Sequence, residues 1–198
     1  IFENSEFLVI NKPAGIAVHP AAFPGKDTVA NWLVARYPAV WDVGGSSLRP
    51  GIVHRLDRWT SGVMVVAKTQ KMFEYLKELF KTRRVKKEYL AILEGKLPTH
   101  EGTVEGYLAP TSKDFRKKKF YALPLSKKAK LSRSRFKVVR YVDGATIAKF
   151  FPETGRTHQI RVHAKYLGYP VLGDCVYGAT FRFRGMTRCR FYLHAAHL

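Results

Sequence analysis

The chain has 198 residues, is 46% apolar and 13% aromatic, and carries a net charge of +20 with only two cysteines. That apolar content supports a packed core, while no apolar run reaches the roughly 18 to 20 residues of a spanning helix and the opening IFENSEFLVINKP has no basic-then-apolar secretory leader. A soluble, cytoplasmic protein is expected, with Cys175 and Cys189 reduced, and so large a positive excess calls for a polyanionic partner.

In chain order, FLVIN (7–11) reads as the first strand. A helix follows, capped near Asp27 and Thr28, with Val29, Trp32 and Leu33 on one side and an end before Pro38. GVMVVAK (62–68) is the next strand. Thr69 then opens a second helix with Met72, Phe73, Leu76, Leu79 and Phe80 at helical spacing, and Lys81, Arg83 and Arg84 suit its C-terminus. EYLAILEG (88–95), RFKVVRYV (135–142) and ATIAKFF (145–151) are further strands, the last two joined by a tight Asp143-Gly144 turn. A third helix is expected from Thr157 as N-cap to Gly168. On it Ile160, Ala164 and Leu167 share one face and His158, Arg161 and Lys165 the other. Residues 109–133 read as a loop, possible as an insertion.

Strands and helices in no regular βαβ alternation predict an α+β fold, a mixed and largely antiparallel sheet flanked by helices. One catalytic domain is expected over 1–198, with a central cleft between halves 1–95 and 96–198. Neither a dinucleotide-binding G-x-G-x-x-G nor a G-x-x-x-x-G-K-[ST] phosphate loop is present.

Over residues 113–140 the sequence has twelve basic side chains and one acidic. Lys117, Lys118 and Lys119 lie there among Phe115, Phe120, Tyr121 and Phe136, a mixture suited to phosphate contact beside base stacking. A solvated loop is the plainer reading of a lysine run, but the overall basicity favours nucleic acid.

The densest candidate for chemistry is GIVHRLDRWTSGVMVVAK (51–68). Asp57 stands among His54, Arg55 and Arg58 at the mouth of a strand, where cations keep a carboxylate ionised and able to act as nucleophile or base. An aspartate that only caps the turn is the structural alternative. The kinase H-R-D pattern fails because Leu56 intervenes and no glycine-rich loop precedes. Cys175, Cys189, His194 and His197 fit no usual zinc spacing, so no metal is expected. His158, Arg161 and Lys165 form a second candidate cluster for a carboxylate or phosphates. Tyr89, in Lys87-Glu88-Tyr89, offers a ring with a hydroxyl.

NKPAGIAVHP (11–20), HRLDRWTSG (54–62), KEYLAILEG (87–95) and TGRTHQIRVH (154–163) with GDCVYG (173–178) resemble, in order, the motifs of RluA-type pseudouridine synthases. The resemblance implies Asp57 as catalytic aspartate, Tyr89 as active-site tyrosine, and Arg161 as the arginine that pairs with the aspartate. It implies a uridine isomerase acting on ribosomal or transfer RNA, without cofactor or metal, the uracil being detached from C1′ and rejoined through C5. Asp57 would attack C1′ or remove the 2′ proton. His54, Arg55, Arg58, Lys117, Lys118, Lys119, His158 and Lys165 are the candidate RNA contacts, and Arg55, Arg58 and Trp59 the candidates for filling the stack left by an extruded base. A monomer is expected. Beginning at Ile1 and ending in YLHAAHL, the sequence reads as cropped at both ends. The competing class is a non-catalytic, basic RNA-binding module associated with the ribosome.

Overall fold

The computed structural model describes residues 1–20, 27–111, 117–124, 127–180 and 190–198. Among them are nine strands and three α-helices, an α+β architecture with antiparallel pairing between the strands described below. The chain forms two compact units, residues 1–85 with Leu198, and residues 86–197. The division comes at the Val85–Lys86 junction, ahead of the 88–95 strand, rather than after it.

The first unit contains β1 (Phe2–Glu3), β2 (Phe7–Lys12), α1 (Val29–Arg36), a 3-10 turn (Pro38–Asp42), β3 (Ser61–Ala67) and α2 (Gln70–Lys81). β2 pairs antiparallel with both β1 and β3. Its register sets Phe7 against Ala67 and Lys12 against Gly62, so the ends of the two most distinctive motifs meet at one edge of the ladder. Both helices begin as expected: the Thr28 and Thr69 hydroxyls accept the backbone N–H of Asn31 and Met72, each at 3.2 Å. The apolar stripe of α2 supplies Phe73 to a core with Val40, Val43 and Ala67, and Met72 and Leu76 pack at its margin.

The second unit holds β4 (Glu88–Glu94), β5 (Glu101–Pro110), β6 (Lys118–Tyr121), β7 (Lys130–Val142), β8 (Ala145–Pro152), α3 (Gln159–Tyr166) and β9 (Leu193–His197). Their order in the sheet is β9-β4-β8-β7-β5-β6. Gly144, at φ +66°, makes the predicted tight turn between β7 and β8.

Three expectations are corrected here. The stretch 109–133 is not a loop throughout: Pro110, Lys118–Tyr121 and Lys130 onward are in strands, and residues 112–116 and 125–126 lie outside the described residues. In β7 Ser132, Ser134, Phe136 and Val138 are buried while Arg133, Arg135 and Lys137 are exposed. The alternation is a strand's, hidden because serine and lysine are poor strand formers. Second, α3 is not capped by Thr157. It starts at Gln159 after His158, which takes the left-handed conformation at φ +59° and makes no side-chain cap bond. Third, Cys175 is disulfide-bonded rather than a free thiol. Cys189 lies outside the described residues.

Candidate active site

In the first unit Asp57 sits on a turn closed by its own carbonyl, which accepts the Thr60 N–H at 3.1 Å. The neighbouring Arg58 staples this turn to the NKPAG segment in both directions. Gly15 N–H donates to the Arg58 carbonyl at 2.8 Å, and Arg58 Nε donates to the Gly15 carbonyl at 2.7 Å. Lys12 completes the joint. Its ammonium, fully buried, donates to the carbonyls of Pro13 at 2.8 Å, Ile16 at 2.9 Å and Arg58 at 3.1 Å, one acceptor for each of its three protons. Burial pulls Lys12 down to about 8, against the attraction of the Asp57 carboxylate, which raises it. Asp57 is half-buried, with a cation beside it that sequence reasoning had not assigned. The signal was a lysine followed by proline at the end of a strand, read as motif but not as chemistry.

The residues flanking Asp57 divide by exposure. Arg55 and Arg58 are exposed; Arg55 bonds His19 Nε2 at 3.0 Å, and the Arg58 guanidinium lies 5.9 Å from the Trp59 ring centroid. His54 is half-buried, its ring stacked 4.5 Å from Phe80 and its Nε2 accepting the Val65 N–H at 3.1 Å. That nitrogen joins the loop to β3.

In the second unit Tyr89 lies on β4, opposite Phe150 of β8 and Ala195 of β9. The register against β9 shifts between Glu88 and Tyr89, an irregularity of the kind that re-aims a side chain. Lys87, two residues before it, donates to the Thr154 carbonyl at 3.3 Å, tying the start of β4 to the turn that precedes α3.

Arg161 is buried at 4% exposure, whereas the helical period alone grouped it with exposed Lys165. Its guanidinium grips Asp174 through Nε to Oδ2 at 2.6 Å and Nη2 to Oδ1 at 2.9 Å. It also lies 4.9 Å from the Tyr177 ring centroid and 4.2 Å from that of Phe191. Asp174, wholly buried, further accepts the N–H groups of Val176 and Tyr177 at 3.2 and 3.3 Å. Four donors on one carboxylate satisfy the condition under which a buried ion pair is tolerated. Gly173 permits the turn: at φ +79°, a Cβ there would lie 2.2 Å from the Arg190 carbonyl oxygen. Asp174 thus holds Arg161 in place, a partner that sequence reading quoted without giving it a role; a single acidic residue after glycine, downstream of H-Q-I-R, was the available signal.

The remaining candidate RNA contacts also differ in exposure. Lys117, Lys119 and Lys165 are exposed, Lys118 and His158 half-buried. The Tyr177 hydroxyl accepts the Lys118 N–H at 3.0 Å and lies 2.7 Å from His158 Nδ1, so it joins β6 to the start of α3.

The model of the RNA pseudouridylate synthase family matches residues 6–166. The chain is 41% identical over 189 residues to an uncharacterized RNA pseudouridine synthase of Chloroflexus aurantiacus, covering 95% of this chain and 56% of that protein. It is 38% identical over 179 residues to ribosomal large subunit pseudouridine synthase D of Borreliella burgdorferi, covering 90% and 54%. It therefore spans little more than half the length of these relatives. Among solved structures it is similar to human RNA pseudouridylate synthase domain containing 1, with a TM-score of 0.78, 28% identity and coverage of 98% of this chain and 75% of that one. Motif order, the α+β architecture and these matches agree, and the chain belongs to the RNA pseudouridylate synthase family, in its RluA-type branch.

Proposed function

We propose that this chain isomerises uridines in structured RNA to pseudouridine in the cytoplasm, with Asp57 acting at the ribose and Tyr89 and Arg161 completing the active site. The observation that carries this reading is the placement of Asp57 on a turn held by Lys12 and Arg58, beside a buried ammonium. A carboxylate mounted on a hydrogen-bonded turn meets the first requirement of glycosyl chemistry, stabilising positive character as the N1–C1′ bond breaks. A new C5–C1′ bond then forms, and the proton on C5 is lost as N1 gains one. No electrons are gained or lost, so the conversion requires no redox cofactor. Asp57 either attacks C1′ or removes the 2′ proton; both use the same ionised form. The target base must leave its stack, at a cost of roughly a few kcal/mol, and exposed Arg55 and Arg58 beside Trp59 are suited to fill the gap.

Relatives named for the large ribosomal subunit make ribosomal RNA the first substrate to test, with transfer RNA second. Pseudouridine mapped across total RNA from cells with and without the gene tests the proposal and finds the target together. Loss of defined sites on deletion is expected; an unchanged map overturns the assignment.

A further inference from the structure

Phe120, on the edge strand β6, is clamped from several sides. Below it Gly106 leaves a notch: a Cβ there would lie 2.3 Å from Phe120 Cζ and 2.7 Å from Cε2. The ring packs against a core of Leu108, Val162 and Tyr177, and meets the fully buried His163 ring edge-on, with centroids 5.8 Å apart and planes at 80°. Against Phe120 stacks Tyr166, the last residue of α3, with centroids 3.9 Å apart and planes at 26°. Tyr166 is nevertheless 59% exposed. One face of the ring is covered by Phe120, while the residue as a whole remains largely open to solvent.

A single exposed tyrosine is ordinary on a protein surface. A tyrosine whose ring is already oriented by a clamped partner is different, because the entropy of ordering a side chain on binding has been removed in advance. The surroundings identify the ligand class. Lys165, which precedes Tyr166 on the helix, is exposed, and Lys118 shares the strand face of Phe120, which suits a flat, apolar ring carried on a polyanion. We propose that Tyr166, backed by Phe120, is a stacking platform for an unpaired RNA base other than the uridine that is modified. The proposal rests on the reading of the chain as an RNA-modifying enzyme and adds to it a single-stranded flank in the substrate. Stacking needs only a π-face, so the platform accepts any base.

The test compares the affinity of the chain for a short unstructured oligoribonucleotide and for an RNA duplex of equal length. Tyr166→Ala is expected to weaken the single strand by about 5- to 150-fold, the range for removing one base–aromatic stack. Duplex affinity and the salt slope should stay as they were, because no group facing a phosphate is removed. Tyr166→Phe and Tyr166→Trp should restore single-strand affinity. Unchanged affinity of Tyr166→Ala overturns the platform, as does an equal loss on both RNAs, which would mark damage to the basic strand. The binding assay involves no isomerisation. A chain that forms no pseudouridine but loses single-strand affinity with Tyr166→Ala refutes the enzymatic reading alone; an active chain indifferent to the substitution refutes the platform alone.

Discussion

Arg161 and Asp174 form a bidentate pair, at 2.6 and 2.9 Å, with neither side chain open to solvent. The pair binds the H-Q-I-R helix to the G-D-C-V-Y-G turn, so the arginine expected to serve catalysis is itself held by a carboxylate. Asp174→Ala would leave the Arg161 charge buried and short of acceptors, and should destabilise the fold by about 3 to 5 kcal/mol. Denaturant unfolding checks this; a loss below about 1 kcal/mol would mean that the guanidinium finds water or another partner at little cost.

Asp57→Asn keeps the shape of the side chain and removes its charge. Turnover should fall by about a thousandfold or more, the scale of losing a reacting group, with RNA affinity within a few fold of the parent. Single-turnover assays beside filter binding separate the two effects. If the Asp57→Asn protein still formed pseudouridine at a comparable rate, the chemistry would lie elsewhere, and the basic binding-module reading would regain its standing.

Lys12→Met removes three hydrogen bonds and an ammonium that attracts the Asp57 carboxylate. Three buried carbonyls lose their donor, so a stability loss of about 2 to 4 kcal/mol is expected. Turnover measured below the melting range should also fall, because the turn loses its fastening to the NKPAG segment. Full stability and full turnover in this variant would contradict the role assigned to Lys12.

Burial holds the His163 imidazole down to about 4, from an ordinary value of 6.5. Between those values an unfolded chain binds a proton that the folded chain excludes. Stability is therefore complete above about pH 6.5 and declines as pH falls toward 4, by about 3 kcal/mol in all. His163→Gln cannot titrate and should flatten that part of the profile, measured as denaturant midpoints from pH 4.5 to 7. Parallel profiles for parent and variant would assign the acid sensitivity to other groups.

Replacing Lys117, Lys118 and Lys119 together by Ala should weaken every RNA about equally and reduce the salt dependence, by about 0.7 to 0.9 in slope for each phosphate that is no longer neutralised. The Lys118 bond to the Tyr177 hydroxyl uses the backbone N–H, so the strand should survive the change. Turnover at saturating RNA should be largely recovered. Normal affinity with an unchanged slope would make these lysines a solvated edge.

Much of this protein was determined by local chemistry that residue order alone displays. Thr28 and Thr69 start their helices because a hydroxyl placed before an apolar stripe satisfies an otherwise unpaired N–H. Asp143-Gly144 turns because glycine accepts positive φ, and the order of the motifs carries the family. The tertiary structure decided what depends on partners distant in sequence. Lys12 and Arg58 are 46 residues apart, and no periodicity in either segment announces that one ammonium will cap the other's carbonyl. Arg161 was one of three cations on the helix face opposite the packing one until its pairing with Asp174 was seen to be buried, and the start of β7, up to Arg133, looked like a loop until its pairing with β5 and β8 set Ser132 inward and Arg133 outward. In each case burial arises from long-range packing, and only burial turns an ordinary charged or polar residue into one whose position is held.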